Sequence, residues 1–169
     1  NAGYGLIGKA AELAREEQLC IIHLNIRALA DLTLRFLPGM IARRRGGVIN
    51  LGSVAGFLPG PYMAIYYASK AFVASFSEAL AEEVRGAGVT VTCVAPGPVA
   101  TNFVARAGAG RAGRFKLLPS VTAAMVAETA WRGFKRGRRV VVPGASVKLS
   151  AFVARHAPHM LSLPVIAGL

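Results

Sequence analysis

Apolar and polar residues recur along this chain with two different periods, and glycine or proline stands where one period gives way to the other. From about Glu12 to Arg45 the period is helical: Leu24, Ala28, Leu32 and Phe36 follow one another at i+4 steps, while Arg27, Asp31 and Arg35 fall on another face. Pro38 should kink or interrupt that helix, and Gly46 and Gly47 should end it. Val48 to Leu51 is a short apolar run flanked by glycine, which suits a buried strand. A loop holding Gly56, Pro59, Gly60 and Pro61 follows. The helical period returns from about Met63 to Arg85, with Ala68, Phe72, Phe76, Ala79, Leu80 and Glu83 along one side, and Gly86 and Gly88 stop it. Val89 to Val94 alternates Val and Thr, a strand signal. Pro96, Gly97 and Pro98 open an irregular stretch rich in Gly and Arg up to about Lys116. A further helix is expected from Thr122 to about Lys135, and Val140 to Val142 is a third strand candidate before Pro143 and Gly144.

Strands and helices in alternation imply an α/β fold with parallel strands joined by crossovers. Three strands make a narrow sheet for that class. With 169 residues, 54% of them hydrophobic, the chain is long enough for one domain with a sizeable core. The 19 glycines and nine prolines sit at breaks between apolar stretches and read as turns rather than low complexity. Cys20 and Cys93 each fall in an apolar pattern and are expected to be small buried hydrophobes. Two such positions give neither a metal-ligand spacing nor a disulfide framework, so no metal is expected and a reducing, cytoplasmic setting fits.

The net charge of +12 is concentrated in two runs, Arg43–Arg44–Arg45 and the group Arg132, Lys135, Arg136, Arg138 and Arg139. Such runs can attract nucleic acid, an anionic membrane or an acidic protein. Neither is interleaved with aromatic residues in a stacking pattern, so nucleic acid is not expected as a partner and a solvated basic surface is the plainer reading. No apolar run approaches the ~20 residues that a spanning helix needs, nothing at the start reads as a signal peptide, and membrane contact is not expected.

Candidate chemistry centres on Tyr66 and Lys70, which share a helix face at i and i+4. A phenol titrates near ~10 and is a poor base at neutral pH. A lysine cation held alongside would favour phenolate, lower that value and let the pair exchange a proton with an alcohol or alkoxide. Ser53 lies just beyond the Val48–Leu51 run and thirteen residues before Tyr66, at the strand end where ligands gather in open α/β sheets. Its hydroxyl could bond the substrate oxygen that Tyr66 protonates. Taken singly, each has a plainer reading: a surface Tyr–Lys pair, and a serine that caps a turn.

Together these residues carry a resemblance. GVINLGSVAG, YYASK and VAPGPVAT are similar, in order and spacing, to the signature blocks of the short-chain dehydrogenase/reductase family. Asn1, Ala2 and Gly3 look like the end of that family's Asn-Asn-Ala-Gly motif, and Asn25 matches its helical asparagine. The match extends to about Gly144.

The resemblance implies a partial Rossmann-like, doubly wound parallel sheet and an NAD(P)-dependent oxidoreductase. Tyr66 would be general acid in reduction and base in oxidation, Lys70 would tune it and bind the nicotinamide ribose, and Ser53 would polarise the carbonyl. Asn25 would support a water linking Lys70 to solvent. Asn1, Ala2, Gly3, Pro96, Gly97, Val99 and Thr101 would border the cofactor, with NADP slightly favoured over NAD. Thr101 could equally cap the helix after it. His23, His156 and His159 match no functional position and read as structural or exposed.

Gly3, Gly5 and Gly8 superficially give G-x-G-x-x-G, but no strand precedes them, so they are not read as the dinucleotide fingerprint. That fingerprint and the residue selecting NAD from NADP are expected upstream, and residues 1–169 are read as one N-terminally truncated domain. Residues 103–120 stand in the place of the family's substrate-covering loop, where Phe103, Val104, Phe115, Leu117 and Leu118 would form an apolar lid. Phe57, Leu58, Pro59 and Tyr62 would form an apolar wall. These favour a small, hydrophobic ketone, aldehyde or secondary alcohol as substrate. Reduction of 3-oxoacyl groups on an acyl carrier protein, and a non-catalytic cofactor-binding module, are the alternatives. The apolar segment 149–169 is expected over the site or at a subunit interface, and a homodimer or homotetramer built on the two long helices is the implied assembly.

Overall fold

In the computed structural model of the protein, residues 2–101, 103, 107 and 120–156 are described. Three parallel strands lie in chain order: β1 (Gly46–Leu51), β2 (Val89–Val94) and β3 (Val140–Val141). β2 is central, and its packing partners alternate with the pleat. Val91 packs with Leu37, Leu80 and Val84, and Cys93 with Val73 and Ala74, all on one face of the sheet. Val94 points to the opposite face, where it meets Val126 and Ala130 together with Ile49 and Leu51 of β1. The sheet is therefore covered on both sides, as parallel sheets require. Among the described residues β1 pairs with β2 alone.

The covering helices are α1 (Arg15–Ile22), α2 (Leu29–Ala42) and α3 (Ala64–Glu83) on one side, and α4 (Ala123–Lys135) on the other. A last helix, α5 (Ala145–His156), packs on the loop after β1. Its Arg155 lies over the Phe57 ring at 5.4 Å and pairs with Glu78 of α3 at 2.9 Å, tying α5 to both elements. α4 begins as its sequence suggests, with the Thr122 hydroxyl accepting from Met125 N at 3.1 Å.

Four expectations change. The stretch from Glu12 to Arg45 is not one regular helix: α1 and α2 are joined through a π-helical segment, His23–Ala28. The buried line of this stretch is Ile21, Asn25, Thr33 and Leu37, whereas Leu32 and Phe36 are 56% and 62% exposed. Periodicity found a helix but chose the neighbouring stripe, because two of the inward positions are polar and an apolar count passes over them. Pro38 does not break α2. Pro38 and Leu34 both lie on the exposed side, where water can bond the carbonyl that the proline leaves free. Cys20 is exposed, and only Cys93 is a buried hydrophobe.

Candidate active site

Register builds the site. Leu51 pairs with Val94, so the residues two beyond each, Ser53 and Pro96, emerge at the same end of the sheet. Val54 N donates to Pro96 O at 3.1 Å and locks the two exits together. Ser53 opens a short 3-10 turn (Val54–Phe57) by accepting from Ala55 N at 3.1 Å, and its hydroxyl also reaches Pro96 O at 3.5 Å. That hydroxyl is near enough to the phenol of Tyr66 to favour its ionised form. One turn on, Lys70 is 8% exposed; its Nζ donates to Leu51 O at 2.9 Å and lies 5.8 Å from the centre of the Tyr66 ring. Phe103 lies against that ring from another side, centroids 5.1 Å apart.

Electrostatics depart from the expectation that the lysine lowers the tyrosine. Burial pushes Tyr66 up to about 12, partly opposed by the Ser53 hydrogen bond, with Tyr67 adding to the rise. Burial also pushes Lys70 down to about 8, against a smaller opposing effect of Cys93. The ammonium bonds a carbonyl and stands over the ring rather than at the phenol oxygen. Tyr66 is therefore a protonated acid at neutral pH.

Asn25 enters from the π-helical segment and is 2% exposed. Its Nδ2 donates to Tyr4 O and Ser69 Oγ, both at 3.0 Å, and its Oδ1 accepts from Tyr4 N at 3.3 Å. Ser69, wholly buried, donates to Tyr66 O at 2.7 Å. Sequence reasoning missed Ser69 and Tyr4, whose hydroxyl and backbone carry no motif of their own. Their signal is spatial: both are partners of Asn25. A Cβ on Gly3 would lie 2.9 Å from Asn25 Oδ1 and 3.7 Å from Lys70 Nζ, so Gly3 runs beside Asn25 and Lys70.

The other expected residues are placed as follows. Pro96 and Gly97 leave β2 next to Ser53, and Gly97 lies under Val147 of α5. Val99 bridges Val121, and Thr101 accepts from Phe103 N at 3.3 Å, a capping geometry. Phe57, Leu58 and Pro59 line an apolar groove of about 470 Å³ with Tyr67, Ala68 and Ala71. That groove opens on the Tyr67 side of α3 and is not lined by Ser53, Tyr66 or Lys70. Tyr62 is 48% exposed, with a backbone φ of 65°, and does not line the groove. Asn1, the lid residues Val104, Phe115, Leu117 and Leu118, His159 and residues 157–169 lie outside the described residues. His23 and His156 are exposed. Among the described residues no group of three His, Cys, Asp or Glu could hold a metal, and no helix is long and apolar enough to cross a membrane.

Known proteins share parts of this sequence and its fold. A very-long-chain 3-oxoacyl-CoA reductase of Laccaria bicolor is 46% identical over 76 residues, 45% of this chain and 22% of that protein. A short-chain dehydrogenase from Sphingobium yanoikuyae in complex with NADPH superposes with a TM-score of 0.80 at 30% identity, over 96% of this chain and 62% of that one. A 3-oxoacyl-[acyl-carrier protein] reductase from Brucella melitensis with bound NAD gives 0.70 at 27% identity, over 84% and 58%. The chain thus covers less than two thirds of each of these proteins. The sequence profile of the short chain dehydrogenases matches residues 1–112, the stretch that holds Asn25, Ser53, Tyr66 and Lys70, and the chain belongs to that family.

Proposed function

We propose that the protein carrying this chain is an NAD(P)(H)-dependent oxidoreductase that interconverts a hydrophobic carbonyl compound and its secondary alcohol. The observation that carries the reading is that Ser53, Tyr66 and Lys70 meet at the strand end where β1 and β2 exit together, with Lys70 Nζ on Leu51 O at 2.9 Å and over the Tyr66 ring at 5.8 Å. In reduction, Tyr66 Oη–H gives its proton to the oxygen of the carbonyl as negative charge develops there, and Ser53 Oγ–H aligns that oxygen. A bound nicotinamide cofactor supplies or accepts the hydride. The residues present fit it: Lys70 Nζ has Leu51 O as its one hydrogen-bond acceptor among the described residues, which leaves donors for ribose hydroxyls. Asn1, Ala2, Gly3, Pro96, Gly97, Val99 and Thr101 are read as bordering the cofactor, a reading supported by Gly3 beside Lys70 and by the tie between Val54 N and Pro96 O. Asn25 is read as supporting a water that links Lys70 to solvent, from which the proton given up by Tyr66 is replaced.

Phe103 on the Tyr66 ring favours an apolar substrate. The Laccaria and Brucella proteins favour 3-oxoacyl thioesters as a second reading. A homo-oligomer built on the α2 and α3 faces fits the exposed Leu32 and Phe36 and the stacked Phe72 and Phe76. Two unpaired cysteines support a reducing, cytoplasmic setting.

The test is cofactor oxidation by the full-length protein, offered NADPH or NADH with a hydrophobic aryl ketone and, separately, a 3-oxoacyl N-acetylcysteamine thioester. Tyr66→Phe should lower kcat by ~10²–10⁴-fold while cofactor still binds. Unchanged turnover in that variant would overturn the acid/base assignment.

A further inference from the structure

Gly3-x-Gly5-x-x-Gly8 is not a phosphate cradle here, and its middle glycine has another use. The segment is pinned along its length. Tyr4 holds Asn25 through both its backbone N–H and its carbonyl, Ile7 N donates to Ala107 O at 3.0 Å, and Gly8 N donates to Tyr62 O at 2.8 Å. Between these ties, Gly5 is buried with its Cα turned to the face of the Tyr66 ring. A Cβ there would lie 2.9 Å from both Cγ and Cδ2 of Tyr66 and 3.0 Å from Cε of Met63. Carbon atoms of two side chains rest at ~3.5–4.0 Å, so a methyl group would force a movement of more than half an ångström.

Three restraints decide what moves. The glycine segment is tied on both sides of Gly5, the backbone of Tyr66 is held by the Ser69 hydroxyl, and Phe103 and Tyr67 stand around the ring with centroids at 5.1 and 6.1 Å. The ring is the part left to tilt, and its hydroxyl lies at the end farthest from the Cα, so Oη leaves the Ser53 hydroxyl. We propose that Gly5 is a positioning residue for catalysis: the absence of its side chain sets the tilt of the Tyr66 ring and so the place of the proton it donates. The inference rests on Tyr66 being the proton donor, as proposed above.

In the full-length protein, Gly5→Ala is compared with Tyr66→Phe, using NADPH and an aryl ketone as the probe. Gly5→Ala should lower kcat ~10-fold or more, since a misplacement near 1 Å can cost ~10²-fold, while KM for NADPH stays within twofold. The 13Cζ resonance of Tyr66, labelled in the protein and assigned by its loss in Tyr66→Phe, should shift. A kcat within twofold of wild type, in a folded Gly5→Ala, overturns the role of Gly5. If Tyr66→Phe turns over normally, the acid/base reading falls instead, whatever Gly5→Ala does. Gly5→Ala with Met63→Ala removes the second clash; this pair should keep the loss in kcat, and wild-type kcat in it also overturns the inference. Failure of both variants to fold would make Gly5 a residue of the fold alone and overturn the inference too.

Discussion

Asn25 Nδ2 donates to Ser69 Oγ at 3.0 Å, and that same hydroxyl donates to Tyr66 O at 2.7 Å. One buried oxygen thereby joins the π-helical segment to the turn of α3 that carries both Tyr66 and Lys70. Replacing it leaves Asn25 Nδ2 with Tyr4 O as its remaining acceptor, and a buried polar hydrogen without a partner costs ~1–3 kcal/mol. Ser69→Ala should therefore unfold at lower urea concentration by that amount, with an unchanged slope. A midpoint equal to wild type would show that Asn25 finds another partner.

Ser53 serves two partners of different kinds. It caps the turn after β1 by accepting from Ala55 N at 3.1 Å, and it stabilises the ionised form of Tyr66. Ser53→Ala removes the influence that opposes burial, so the phenol should titrate higher than in the wild type. Ultraviolet absorbance of tyrosinate, taken as the difference from a Tyr66→Phe background, measures it. Loss of the oxygen that aligns the carbonyl should also lower kcat ~10²-fold. A downward movement of the Tyr66 titration would contradict the geometry.

Lys70 makes stability depend on pH with an unusual sign. Its folded value of about 8 lies below the ordinary 10.5, so between these limits the unfolded chain binds more protons than the folded one. Unfolding free energy then rises with pH from about 8 upward. Cys93 and Tyr66, pushed up by burial from 9.0 to about 11 and from 10.0 to about 12, act in the opposite sense above pH 9 and 10. The clean window is pH 8 to 9, where the thermal midpoint of the protein without cofactor should climb. Lys70→Met should flatten that climb, and an equal slope in both proteins would refute a depressed lysine.

How much of this was legible before the structure depends on whether a residue acts through its own type or through where its neighbours lie. Ser53, Tyr66 and Lys70 stand in one stretch, and a strand followed by a helix brings them together whatever the rest does. The alternation of Val89–Val94 likewise gave the central strand directly. The π-helical segment was not legible, because inserting one residue in a turn leaves no mark in an apolar count. Nor was the pKa of Tyr66: a lysine four residues on says nothing of the Leu51 carbonyl that holds its ammonium. Gly5 was set apart from a phosphate-binding pattern by the lack of a strand before it, but the use it has instead shows only in the ring beside it.

The misplaced helix face gives the last prediction. Leu37 and Phe36 are adjacent, yet Leu37 is 8% exposed among Leu80, Val84 and Val91, and Phe36 is 62% exposed. Leu37→Ala removes packed methyl groups from a closed cluster and should cost ~2–5 kcal/mol. Phe36→Ala touches no such cluster, and its effect on the monomer should stay within ~0.5 kcal/mol. If the α2 face is a subunit contact, Phe36→Ala shows itself instead as a shift toward monomer in sedimentation at a fixed concentration. Urea unfolding of the two variants, taken where both are monomeric, separates the possibilities. Equal losses would mean that the stripe of Leu24, Ala28, Leu32 and Phe36 is packed inward in the monomer.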